Sequence, residues 1–153
     1  LNSLSILDNM AIPLEQHTNL DRPMIRRMAA VKLGMVGLAH AAHQLPSELS
    51  GGMRKRAALA RAIALDPALL FCDEPSAGLD PITSAALDEL ILTLKKQLQM
   101  SIVIVTHELA SIHRIADRIV FLSEGKIVFH GTVPEAKSCG LEQVENFFQV
   151  GSF

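Results

Sequence analysis

No apolar run in this chain approaches the roughly 18 residues that a membrane-crossing helix requires, and its first residues lack the basic stretch that opens a secretory leader. Both absences point to a cytosolic protein. Cysteine is scarce: Cys72 lies inside an apolar run and Cys139 near the C-terminal end, with no metal-type spacing, so both read as free thiols. Charge is scarce too. Only 20% of residues are charged, 49% are hydrophobic and the formal net charge is −2, a balance that disfavours disorder and gives no basic surplus for a nucleic-acid partner. There is no internal repeat and no low-complexity linker. What remains is a 153-residue chain, long enough to hide roughly 68–70% of its unfolded surface, that reads as one domain or part of one. It begins with Leu1 in mid-pattern, which suggests that its start is missing.

Residues 9–49 read as helical. Met24, Met28, Val31 and Met35 recur on one helical face, with Asp21 as the cap and Pro23 in the first turn. Such a methionine stripe is most often core packing, with a partner surface as the minority reading. From Ser50 the pattern changes. A helix over 53–65 leads through Asp66-Pro67 to a strand over 69–73, then a loop through Pro75 and Gly78. A helix over 81–98 places Leu87, Leu90, Ile91, Leu94 and Leu98 on one side, a fully buried strand covers 101–105, and a short helix covers 109–116. Strands alternating with helices imply an α/β fold with a parallel sheet and right-handed crossovers. Residues 118–122 and 126–130 flank the loop Ser123-Glu124-Gly125 as a hairpin at the sheet's edge, Gly131-Thr132-Val133-Pro134-Glu135 caps a further helix, and Val144 to Phe148 form a last amphipathic turn.

Two stretches suggest chemistry. The strand Leu69-Leu70-Phe71-Cys72 ends in Asp73-Glu74, which places two carboxylates at the crevice where parallel sheets bind ligands. Asp73 can hold Mg²⁺ and Glu74 can face an attacking water as general base, with Pro75 stopping the ladder. Asp-Glu alone fits a solvated acidic turn equally well. Upstream, Ser50 caps a helix opened by Gly51 and Gly52, whose bare backbone lets N–H groups approach a phosphate. Arg54, Lys55 and Arg56 then put positive charge where the helix dipole disfavours it, a conflict that an anionic guest would remove. A plain loop-to-helix junction is the blander account of Ser-Gly-Gly alone. Thr106-His107-Glu108 follows the second strand directly, so His107 can donate to a γ-phosphate oxygen. A zinc site with His113 fails, because residues six apart lie on opposite helix faces.

Leu49-Ser50-Gly51-Gly52, Asp73-Glu74, Ser76-Ala77-Gly78-Leu79-Asp80 and His107, in that order, resemble the signature, Walker B, D-loop and H-switch of the ABC-transporter ATPase domain. The resemblance covers nearly the whole chain. It implies a P-loop NTPase-like fold divided into a helical subdomain over 1–49 and the C-terminal part of the ATPase core over 50–153. It implies ATP and Mg²⁺, with two ATPase subunits sandwiching two ATP molecules. Ser50, Gly51 and Gly52 would then touch the γ-phosphate bound by the opposite subunit, Asp80 would lie near the dimer interface, and Asp73, Glu74 and His107 would hold metal, water and γ-phosphate. Transmembrane permease subunits would dock on the helical subdomain, around residues 9–45, at the cytoplasmic face of a bacterial inner membrane.

Met53 stands where the signature usually has glutamine; this resembles the ATPases of Mla-type intermembrane lipid transporters, which pair with a permease and an Mce protein. Asn9-Met10-Ala11-Ile12-Pro13-Leu14 and Phe147-Phe148 support that subfamily, and lipid as cargo rests on the resemblance alone. No G-x-x-x-x-G-K-[ST] phosphate loop occurs, since the only Gly-Lys is Gly125-Lys126 in the hairpin, and the family's Q-loop glutamine has no counterpart. The chain therefore reads as the C-terminal portion of a cassette, expected to bind ATP poorly and to be inactive by itself. The competing readings are a non-catalytic binding or dimerisation module, the ATPase of another importer such as one for amino acids, and a soluble ABC-type ATPase of DNA repair or translation. The last should show long heptad arms or a second cassette, and neither is visible.

Overall fold

Local caps set where the first helices begin. Ser5 accepts from the Asp8 amide at 3.1 Å at the start of α1 (Ile6–His17), and Asp21 accepts from the Met24 amide at 2.9 Å at the start of α2 (Arg22–Met35). The computed structural model describes residues 2–150, apart from the Val150 side chain. Two short 3₁₀ turns, Ala39–Ala41 and Pro46–Glu48, bring the chain to α3 (Gly51–Ala62). Then come β1 (Leu69–Asp73), α4 (Pro81–Leu98), β2 (Ser101–Val105), α5 (Leu109–Ile115), β3 (Ile119–Ser123), β4 (Lys126–Gly131), α6 (Val133–Ala136) and α7 (Glu142–Val150). The class is mixed α/β, and the chain divides between Val105 and Thr106 into two compact units.

In the first unit β1 and β2 pair in parallel, with Leu69 opposite Ser101 and Asp73 opposite Val105. The core gathers Met10 and Leu14 of α1, Ile25, Ala29 and Leu33 of α2, Leu59 of α3, Leu70 of β1, and Leu87, Ile91 and Leu94 of α4. Each of the larger side chains contributes about 1.5–3 kcal/mol on burial, so this contiguous set holds the unit together. Lys32 is buried on α2 and its ammonium pairs with Asp66 in the turn after α3, tying the second helix to the approach of β1.

Three expectations change. The inward face of α2 is Ile25, Ala29 and Leu33, whereas Met24 and Val31 are exposed and Met28 and Met35 only half-buried, so the methionine stripe flanks the packing face. β2 is not fully buried. Ile102 and Ile104 pack on the core, while Val103 and Val105 share an open face with Leu69 and Phe71, the last 72% exposed. The hairpin is a separate two-stranded antiparallel ladder, and its loop is two residues, not three. Ser123 pairs with Lys126, and Glu124 and Gly125 both take positive φ (49° and 73°), the geometry that matches strand twist in a tight hairpin.

In the second unit Ala136, Val144 and Phe148 are buried. Phe147 meets Phe121 and Phe148 edge-on, with centroids 5.4 and 5.2 Å apart. The expected cap is a complete capping box: Glu135 accepts from the Thr132 amide at 2.7 Å, and Thr132 accepts from the Glu135 amide at 3.4 Å. The Thr132 amide, and the Thr132 hydroxyl that also donates to Glu135 Oε2 at 2.9 Å, favour the charged form and hold the Glu135 carboxyl below its usual range.

Candidate functional site: a glycine-opened helix beside an acid-terminated strand

α3 opens as a helix because Ser50, in extended backbone, caps it by accepting from the Met53 amide at 3.3 Å. Ser50 is exposed, and the Gly51 and Gly52 amides stand at the first two helical positions, which have no intrahelical carbonyl to bond. This end of α3 suits an anion. The glycines have a second reason to be there. A Cβ on Gly52 would sit 2.7 Å from Thr83 Cγ2 at the start of α4, and one on Gly51 would lie 3.5 Å from Leu79 Cδ2. The helix tip is pressed against the segment that begins α4.

That segment is organised by Asp80. Its Oδ1 accepts from the Ile82 and Thr83 amides, both at 3.0 Å, and its Oδ2 from the Thr83 hydroxyl at 2.5 Å. The side chain is exposed yet already engaged as the cap of α4. Bonding to Thr83, hydroxyl first and then amide, holds its carboxyl below the usual range. A carboxyl depressed in the folded state adds stability above its unfolded value, about 3.9, and loses it as pH falls through the folded value. The urea midpoint is therefore expected to fall below about pH 4, and Asp80→Asn, which also caps well, should flatten that acid limb. Parallel pH profiles for the two proteins would refute the assignment.

β1 delivers the two carboxylates. Asp73 is the exposed last residue of the strand, and Glu74 leaves the strand with φ of +44°, a left-handed backbone uncommon for any residue but glycine. Strand alternation therefore ends at Asp73 and does not aim Glu74. Glu74 is set by hydrogen bonds: its amide donates to Val105 O at 2.9 Å, and its carbonyl accepts from the Ala77 amide at 3.2 Å and from Lys55 Nζ at 3.1 Å. Strained backbone of this kind persists where its surroundings over-determine it, and it clusters at functional sites. Cys72, just upstream, is a free thiol whose ionisation is pushed up by burial, which leaves it protonated and packed.

The basic run also has internal partners. Arg54 Nη1 donates to Leu49 O at 2.5 Å and Lys55 to Glu74 O, so two of the three cations in the first turn of α3 bend onto carbonyl oxygens. Sequence reasoning saw only a conflict with the helix dipole there, and it missed Thr83 altogether, since no local signal marks either contact. Within the first unit, then, Gly51 and Gly52 meet the segment around Asp80, and Glu74, one residue past Asp73, is joined to the same helix through Lys55. His107 is exposed in the loop between β2 and α5 and falls in the second unit.

Residues 2–77 match the family model described as ABC transporter. The chain belongs to the ABC-transporter ATPase family. It is 47% identical over 129 residues to the intermembrane phospholipid transport system ATP-binding protein MlaF of Escherichia coli (strain K12), a match that covers 84% of this chain and 48% of that protein. It is 44% identical to the protein of the same name from Haemophilus influenzae, covering 84% and 49%. A probable ribonucleotide transport ATP-binding protein, mkl of Mycobacterium tuberculosis (strain H37Rv), is 42% identical, covering 84% and 36%. The chain thus spans about half, or less, of the curated relatives it matches. Among the described residues, no helix is long and apolar enough to cross a membrane.

Proposed function

We propose that this chain belongs to the ATP-hydrolysing subunit of an ABC transporter that moves phospholipid between bacterial membranes, working as a peripheral subunit on the cytoplasmic face of the inner membrane. The observation that carries the reading is Glu74, held in left-handed backbone one residue past the exposed Asp73 at the end of a parallel strand. The phospholipid cargo comes from the names and identities of the MlaF relatives.

In this reading Ser50, Gly51 and Gly52 bind the γ-phosphate of ATP held by a second ATPase subunit, with amide donors and a favourable helix dipole, and Asp80 lies at that subunit's edge. Asp73, an exposed carboxylate at a strand end, has the oxygen-donor chemistry that Mg²⁺ takes. Bound there, Mg²⁺ would supply positive charge against the triphosphate. Glu74 accepts the proton of the attacking water, and His107 donates to the γ-phosphate. Residues 1–49 form the helical subdomain on which permease subunits dock, and residues 50–153 form the C-terminal part of the ATPase core.

The test is transfer of labelled phospholipid between donor and acceptor vesicles by the transporter reconstituted with its complete ATPase. Transfer is expected to require ATP and to stop when EDTA removes Mg²⁺. ATP hydrolysis that responds to an amino acid or a ribonucleotide, but never to phospholipid, would reject the lipid assignment while keeping the ATPase.

A further inference from the structure

Glu74 is fixed at both ends of its own residue. The amide bond to Val105 O holds the peptide plane before it, which sets φ, and the two bonds to its carbonyl hold the plane after it, which sets ψ. With both dihedrals set, the direction of the Cα–Cβ bond follows, and with it the region the carboxylate can sweep. The following residue is Pro75, whose nitrogen donates nothing, so this second plane is held through its carbonyl oxygen. One of the two donors there, the Ala77 amide, belongs to the same turn and moves with it. The other is a side chain from a different element, half-buried Lys55, one turn into the helix that Ser50, Gly51 and Gly52 open. A charged donor to a carbonyl makes one of the stronger hydrogen bonds available to a protein.

We propose that Lys55 is a positioning residue for Glu74: its ammonium locks the Glu74–Pro75 peptide plane to α3, so that the helix presenting the γ-phosphate donors also aims the carboxylate. The inference rests on the reading of Glu74 as the base. Lys55 itself touches neither nucleotide nor water in this scheme. Its effect is on how often the carboxylate faces the water, and so on turnover more than on nucleotide binding.

The experiment compares Lys55→Met, Lys55→Arg and Glu74→Gln in the complete ATPase, reading kcat, KM for ATP and the thermal midpoint. Lys55→Met is expected to lower kcat about tenfold, in line with the sensitivity of positioned groups to small displacements, with KM and thermal midpoint little changed. Lys55→Arg, which keeps a charged donor, should recover most of the rate. Unchanged kcat in Lys55→Met, beside an inactive Glu74→Gln, would overturn the positioning role and leave the base reading intact. A joint fall of kcat, ATP affinity and thermal midpoint that arginine fails to rescue would also overturn it, since that is the signature of a structural contact. Full turnover in Glu74→Gln would instead remove the base reading, whatever Lys55→Met does.

Discussion

Glu74→Gln in the complete ATPase is expected to lower ATP turnover by about 10²–10⁴-fold, the usual contribution of a positioned general base, while ATP-bound dimers persist and accumulate. The substitution is close to isosteric. Glutamine can take up the same left-handed backbone, and the three hydrogen bonds that set it run through main-chain atoms of residue 74, so they survive. What disappears is the ability to accept a proton. In the proposed function binding draws on other groups, namely Ser50, Gly51 and Gly52 at the tip of α3 and Asp73 at the end of β1. Loss should therefore fall on the chemical step, and closure around ATP should outlast it. Phosphate release and size-exclusion chromatography with ATP measure the two halves separately. Wild-type turnover would refute the base assignment; lost turnover together with lost dimerisation would show that residue 74 acts in binding.

Much of this arrangement could be read from the residues because its causes are local. Ser50, Asp21 and Thr132 cap helices by bonds to amides within three residues, and that chemistry is written in consecutive positions. The inward side of α4 was legible for a related reason. Leu87, Ile91 and Leu94 repeat at helical spacing along 18 residues, with no rival stripe of similar strength.

What could not be read depends on partners far along the chain. α2 carries two adjacent apolar stripes, one with Met24 and Val31 and one with Ile25, Ala29 and Leu33, and periodicity cannot rank them; packing against α1 and α3 does. The branched residues of β2 suit a strand buried on both faces, yet only alternate ones meet the core. The backbone of Glu74 was out of reach as well, since glutamate has no local preference for positive φ. Its conformation follows from Val105, more than thirty residues downstream, and from Lys55, nearly twenty upstream. The cap that Asp80 makes for α4 was not read from the sequence either. The resemblance put Asp80 near a dimer interface, and its carboxylate accepts from Ile82 and Thr83, which fixes the shape of the segment that Asp80 caps.

That shape sets the second large effect. Gly52→Ala is expected to destabilise the first unit by about 1–2 kcal/mol, although alanine is the better helix former by about 1 kcal/mol. The added methyl would sit 2.7 Å from Thr83 Cγ2, well inside contact distance, and overpacking of this sort costs about 1–3 kcal/mol. Thr83 cannot swing clear at no cost. Its hydroxyl is bonded to Asp80 Oδ2, and its branched Cβ couples the methyl to that hydroxyl, so relieving the clash breaks that hydrogen bond to the cap residue of α4. Thr83→Ser removes the methyl and keeps the hydroxyl. The double variant should therefore regain most of the stability that Gly52→Ala loses, and the urea-unfolding cycle should give a coupling of about 1 kcal/mol or more. A coupling near zero would mean that α3 and α4 do not touch at this point, and that Gly52 is required only for the approach of a phosphate. If the coupling appears, the bare backbone of Gly52 serves two contacts, because the close approach that fits α3 against the Asp80 segment also leaves the first amides of α3 open to an anion.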